Sequence, residues 1–285
     1  MKHFRWAPVA VLVMAGALFL HSCNEDIPYS SGVIALKTAS LYDGLGITGP
    51  MTEALAKGDN IVIGDILIYD KEGRMVYGKE LETTVLSPLL IEVNDLENGE
   101  YTVVAIQTAC TRSRAVDWEI KDEEDLRTVA LMALDESAHS FAAAVGYAAV
   151  TVTLKGGRFE LDLSPKPMGS VVEIQIDHLT AESGYSFMGL LYKPQYFCGG
   201  FYLDPARGDA DRWVMIDSIK YNLILGFAFP DEPAGKYFTL CHGDNIPLTL
   251  TGFLGEGGRN VATKNYNLTP GGSYLFYMDL DNLPD

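Results

Sequence analysis

From residue 150 to residue 163 the chain alternates with a period of two. Val150, Val152 and Leu154 are separated by Thr151, Thr153 and Lys155. After Gly156-Gly157, the residues Phe159, Leu161 and Leu163 are separated by Arg158, Glu160 and Asp162. A period of two puts every apolar side chain of an extended segment on one face, so each arm reads as a half-buried strand. Gly156-Gly157 then reads as the turn of a hairpin. A helix would scatter the same residues around its circumference. The alternation returns at Val172, Ile174 and Ile176 against Glu173, Gln175 and Asp177. Further strands are predicted at 32–39, 60–63, 65–70, 74–77, 89–93, 99–106, 186–192, 213–216, 221–229, 237–241, 246–251, 259–266 and 274–280. Asp70-Lys71-Glu72-Gly73 is a hairpin turn between two of them. One helical turn is expected at 52–57, and the acidic run 122–125 is expected to open a short helix. Residues 142–150 are alanine-rich and fit helix or strand. Many short strands with few helices predict an all-β fold of tandem β-sandwiches.

Ser164-Pro165-Lys166-Pro167-Met168-Gly169 interrupts this rhythm. Two prolines and a glycine mark a boundary. It divides the body into an N-terminal β-sandwich domain, 32–165, and a C-terminal one, 166–285. Leu96-Glu97-Asn98-Gly99-Glu100-Tyr101 is echoed by Leu268-Thr269-Pro270-Gly271-Gly272-Ser273-Tyr274. Two copies of one sandwich, or shared turn chemistry, would each produce that echo.

The start of the chain is a different kind of segment. Lys2, His3 and Arg5 precede Ala7 to Leu20, which carries no charge. That run is shorter than the ~20 apolar residues of a membrane-spanning helix. It has the flanks and size of a secretory signal peptide, residues 1–22. Its exit, Leu20-His21-Ser22-Cys23, resembles a bacterial lipobox, with His21 unusual in its slot. That likeness implies cleavage before Cys23, acylation of Cys23 with palmitate-type chains, and membrane attachment. Residues 23–31 are polar and read as a tether.

With 48% hydrophobic and 11% aromatic residues, the body can build cores and is no disordered tail. A net charge of −17 repels phosphate backbones, so nucleic acid is excluded as a partner. Cys110, Cys198 and Cys241 have no metal-type spacing. Cys198 and Cys241 are the one pairing within a single domain, and buried free thiols are the alternative.

No catalytic constellation emerges. His139 lies near Asp135 and Ser137, but sequence neighbours do not make a triad. His178 follows an exposed strand face, and His242 stands apart. No two histidines have ligand spacing, so no metal site and no cofactor are expected. The glycines from Gly252 to Gly258 lack the lysine of a phosphate loop and read as a hairpin turn. Arg207-Gly208-Asp209 is the tripeptide that integrin ligands present, and Asp204, Asp209 and Asp211 offer oxygen atoms to calcium. Their spacing is not that of a calcium loop, so a solvated acidic loop is expected. Trp118 and Trp213 could stack on sugars, but Trp213 opens an alternating strand and is expected in the core.

A cysteine at a lipobox followed by acidic residues, with these strands behind it, resembles the fimbrillin superfamily of anaerobic Gram-negative bacteria. The resemblance rests on Asp65-Ile66-Leu67-Ile68-Tyr69-Asp70-Lys71-Glu72-Gly73, on Gly99-Glu100-Tyr101-Thr102-Val103-Val104-Ala105, on 171–176 and on 268–280. It implies two transthyretin-like domains, outer-membrane attachment through Cys23, and assembly with fimbrial or other surface subunits by strand exchange. Stalk subunits of that family are cut after a basic residue, usually arginine, beside the first strand. In this chain no arginine occurs between Cys23 and Arg74, and only Lys37 lies within that strand. The resemblance therefore implies an anchor or accessory subunit rather than a stalk. The alternative is a surface lipoprotein that binds glycans or another ligand for an uptake system.

Overall fold

The computed structural model describes residues 31–39, 60–83, 89–111, 118–133, 144–192, 198–215, 223–240, 242–255 and 257–282. The first strands are β1 (Ser31–Thr38), β2 (Asn60–Asp70), β3 (Met75–Thr83), β4 (Leu89–Glu97), β5 (Gly99–Thr111), β6 (Trp118–Lys121) and β7 (Ala130–Ala133). There follow β8 (Ala144–Leu154), β9 (Gly157–Leu163), β10 (Lys166–Pro167), β11 (Ser170–Asp177), β12 (Phe187–Tyr192) and β13 (Cys198–Tyr202). The last are β14 (Trp213–Met215), β15 (Leu223–Ala228), β16 (Ala234–Thr239), β17 (Gly243–Leu254), β18 (Gly257–Leu268) and β19 (Ser273–Asp279). Among the described residues the helical pieces are single turns, such as Asp209–Arg212. The fold is all-β, of sandwich type.

Two sandwiches share one topology. In the first repeat the sheet β4-β1-β9 lies against β10-β8-β5-β2-β3. In the second, β16-β11-β19 lies against β15-β12-β17-β18. The opening strand of each repeat is the middle strand of its small sheet. β1 runs antiparallel to β4 and parallel to β9, as β11 does to β16 and β19. Ile34, Leu36, Ile66, Ile68, Val103 and Leu154 fill the first core. Val172, Ile174, Ile176, Leu190, Leu248 and Phe276 fill the second.

The repeats are spliced by a fifth sheet. The hairpin β6-β7, inserted after β5, and the pair β13-β14, inserted after β12, join through β13 and β7 in the order β14-β13-β7-β6. The register puts Gly200 opposite Met132 and Phe201 opposite Leu131. Only glycine fits at 200, because a Cβ there would sit 2.1 Å from the Leu131 carbonyl oxygen. This sheet covers the outer face of the first repeat's larger sheet. Leu67, Tyr69, Val104 and Ile106 are buried against Leu131, Phe201 and Leu203. β2 and β5 are therefore buried on both faces, which is why Ile66-Leu67-Ile68-Tyr69 and Val103-Val104-Ala105-Ile106 run apolar without alternating.

Several expectations change. β8 and β9 are not a hairpin: β8 pairs with β5, while β9 crosses to the opposite sheet and pairs with β1. Alternation fixes which face is buried but not which neighbour is bonded. The acids 122–125 do not open a helix. They form the turn of the β6-β7 hairpin, where the Asp125 carboxylate accepts from the Arg127 backbone N–H at 3.0 Å and from its guanidinium. Residues 60–63 and 65–70 are one strand, and the alanine-rich stretch is β8. The echo joins non-equivalent turns. The first copy connects β4 to β5, the second β18 to β19, and the topological counterpart of the latter is Leu154-Lys155-Gly156-Gly157. The two copies are real, but that echo is turn chemistry.

Candidate functional site

The structure distributes the sequence's candidate residues rather than gathering them. Cys23, the 52–57 turn, His139 and Cys241 lie outside the described residues. Cys198 is a free, buried thiol that donates to the Gly200 carbonyl at 2.9 Å, and burial pushes its pKa up to about 12. That thiol is inert packing rather than a nucleophile. Trp118 and Trp213 are half-buried and pack against the core clusters, Trp118 against both and Trp213 against the one under the spliced sheet. Trp213 packs on Phe201 at 5.9 Å and on the His242 ring at 4.2 Å. The described tryptophans thus do not form an exposed sugar platform.

In the Arg207-Gly208-Asp209 tripeptide Gly208 and Asp209 are exposed, but the arginine is engaged elsewhere. The Arg207 guanidinium lies over the Tyr202 ring at 3.7 Å and donates to the Arg127 carbonyl, so it staples the spliced sheet. Asp204 accepts from the Ala206 N–H instead of converging with Asp209 and Asp211 on a cation.

His178 has company the sequence did not reveal. It takes a left-handed backbone, φ 62°, just past β11. Its Nδ1 meets the Asp279 carboxylate at 2.7 Å and Asp281 at 3.5 Å. The hydrogen bond to Asp279, and then the charge of Asp281, raise the His178 pKa. The three ligand atoms lie within 4.8 Å of one another, a grouping that could hold a metal ion. His178 and Asp281 are solvent-exposed, and an ordinary surface ion pair accounts for the geometry.

β1 stands out by its placement. It is the first described strand, yet it is central in its sheet. Ile34 and Leu36 are 0% and 3% exposed, and Thr38 is fully buried. Its exit is pinned by Gln107, whose buried amide donates to the Thr38 hydroxyl and to the Ala39 carbonyl, both at 2.9 Å. The parallel pairing runs unbroken from Gly32↔Gly157 to Thr38↔Leu163. β3 and β4 are outer strands of the two facing sheets. In the second repeat the outer strand β19, the counterpart of β9, has two carbonyls capped from β18: the Lys264 ammonium donates to the Tyr277 carbonyl, and the Tyr266 hydroxyl donates to the Leu275 carbonyl. β19 pairs along its length with β11 of its own sandwich. Where the repeats meet, a cavity of about 1010 Å³ opens beside Ala39, Pro165, Met168, Trp213 and His242.

No family model and no curated protein matches this chain. Solved structures do. A candidate cell adhesion protein from Bacteroides eggerthii superposes with a TM-score of 0.50 at 9% identity, covering 89% of this chain and 88% of that one. A candidate polysaccharide-binding protein from Bacteroides thetaiotaomicron gives 0.49 at 15% identity, covering 87% and 92%. The fimbrial anchor protein Mfa2 from Porphyromonas gingivalis gives 0.46 at 14% identity, covering 82% of each chain. At such identities the likeness is one of fold, and the first of them shares this fold along nearly the whole length. No helix among the described residues is long and apolar enough to cross a membrane.

Proposed function

We propose that this chain is a lipid-anchored, surface-exposed subunit of fimbrial or adhesin type, related to the fimbrillins. It serves as an anchor or accessory member at the outer membrane and assembles with other protein subunits by strand pairing. The observation that carries the reading is the placement of β1. A tether attached through Cys23 enters that strand at Ser31, whereas the chain leaves the first repeat at the opposite end of β9, at Leu163. A pull on the tether therefore loads the parallel pairs between β1 and β9 in shear, all together rather than one by one. The same parallel arrangement recurs between β11 and β19. A subunit that lost β1 would lose both the lipid and the strand that bears the load, and β1 holds no arginine for a protease to cut after.

Strand pairing needs an edge, and the outer edges of β3 and β4 supply one. The cell adhesion name attached to the Bacteroides eggerthii structure agrees with this use of the fold. The division into 32–165 and 166–285 belongs to the same proposal, the spliced sheet being the brace between two load-bearing sandwiches.

Lipid attachment is tested by Cys23→Ser, expected to move the protein from the membrane pellet to the soluble fraction and to remove the acyl mass. Unchanged fractionation would end that part of the proposal. Assembly is tested by pull-down with purified fimbrial subunits beside a glycan array. Co-purifying subunits support it; a strong sugar signal without them would assign the chain to glycan capture.

A further inference from the structure

The outer faces of the two larger sheets meet different fates. In the first repeat that face is buried under the spliced sheet. In the second, the face of β15-β12-β17-β18 turned away from the core has no layer over it among the described residues. Its near part is polar, where Thr249 and Thr263 bond at 2.9 Å. Its far part is a cluster of four phenylalanines. Phe187 stacks on Phe253 with centroids 4.3 Å apart and meets Phe227 at 5.4 Å and Phe229 at 6.1 Å. Phe229 is 41% exposed.

Position and charge narrow what covers this cluster. It lies where β12 begins and where β15 and β17 end, at the end of the second repeat opposite the splice. The tether enters at Ser31, at the end of the first repeat opposite its junction with the second, where Ala39 and Pro165 lie. The phenylalanines thus face away from any membrane attachment. The flanking loops carry Glu182, Asp231 and Glu232, and Glu232 is hydrogen-bonded through its backbone to Phe229. Arg259 pairs opposite Gly252 rather than Phe253, so it sits on the other face. An acidic rim repels anionic lipid and a second copy of a chain with charge −17. Phenylalanine has no polar atom with which to hold a sugar hydroxyl. An apolar aromatic centre with a charged rim is the anatomy of a protein–protein contact.

We infer that this phenylalanine face docks another protein, through a surface of that protein that is apolar at its centre and edged with lysine or arginine. Docking at this face depends neither on acylation of Cys23 nor on pairing at β3 and β4, so it stands or falls separately.

The test uses the chain from residue 24 onward, which holds every described element. The probe is a labelled β-hairpin peptide that alternates valine with lysine around an Asn-Gly turn; its twin carries glutamate for lysine. Fluorescence anisotropy at low salt is expected to show the lysine peptide binding at least tenfold more tightly. Phe229→Ser and Phe253→Ser are each expected to weaken it tenfold or more. Asp231→Lys with Glu232→Lys is expected to reverse the preference. Should Phe253→Ser fail to fold, the exposed Phe229→Ser carries the test alone. Equal binding of the two peptides, or undiminished binding to Phe229→Ser, would overturn the inference. A dimer in sedimentation equilibrium that Phe229→Ser abolishes would also overturn it, by assigning the face to a second copy. Binding to phosphatidylcholine vesicles lost in the same variant would do so by assigning it to lipid.

Discussion

β1 and β11 hold the same place in two copies of one topology, yet their surroundings differ. β11 is buried along most of its length, in the pattern BBBiBiBi, while β1 alternates as iBiBiBeB. The start of β11 is locked from several sides. The Gly271 N–H donates to the Gly169 carbonyl at 2.7 Å, the Val171 N–H to Gly272 at 2.9 Å, and the Ser170 hydroxyl to Thr269 at 3.1 Å. β1 has its fastening at the other end, at Gln107. The large sheets differ the other way round, with the first repeat covered and the second bare at its far end. A duplicated sandwich has thus been specialised twice, once at its opening strand and once on its outer face. Equal topology does not mean equal exposure, and exposure is what partners read.

The largest effect should come from setting the covered face against the bare one. Phe201→Ala removes a fully buried ring from under the spliced sheet and is expected to cost about 3–5 kcal/mol in urea unfolding. Phe229→Ala, on the bare face, is expected to cost less than about 0.5 kcal/mol. Equal costs would mean that both faces are covered in solution.

Next comes a pH effect confined to the first repeat. Asp65 stands directly opposite Glu80 on β3. Burial, and then the charges of Glu80 and Glu123, push its pKa up to about 7. The folded state therefore holds a proton that the unfolded chain gives up near pH 4. Stability falls as pH rises from about 4 to 7, by up to roughly 4 kcal/mol at ~1.4 kcal/mol per unit. Asp65→Asn is expected to flatten that slope, raising stability at pH 8 and leaving it unchanged at pH 4. A parallel downward slope in the variant would assign the loss to other groups.

A smaller change tests the fastening of β1. Gln107→Leu strips the Thr38 hydroxyl and the Ala39 carbonyl of their donor and is expected to cost about 1–3 kcal/mol. Hydrogen exchange should quicken in β1 more than in β11. Equal quickening in both strands would make Gln107 a general core residue.

The sequence showed the sandwiches well because period-two alternation reports a half-buried face directly, as in Val172, Ile174 and Ile176. It showed the Asp70 turn for an equally local reason: the Asp70 carboxylate accepts the N–H groups of Glu72 and Arg74, and Gly73 takes φ 83°. The spliced sheet was largely hidden. Trp118-Glu119-Ile120-Lys121 is too short to stand out, and the two glycines of Cys198-Gly199-Gly200-Phe201-Tyr202 weaken any strand signal there. Gly200 is there because a neighbouring carbonyl leaves no room for a side chain, a constraint created by a strand far away in sequence. Phe187, Phe227, Phe229 and Phe253 come together from three strands, and no single stretch announces the cluster.

Intact-mass analysis of the protein extracted from native membranes probes the proposed tethering of the first strand at its source. An anchor held through β1 should yield an acylated chain that begins at Cys23 and still contains Ser31–Thr38. A soluble, unacylated chain, or one that begins beyond Thr38, would contradict it.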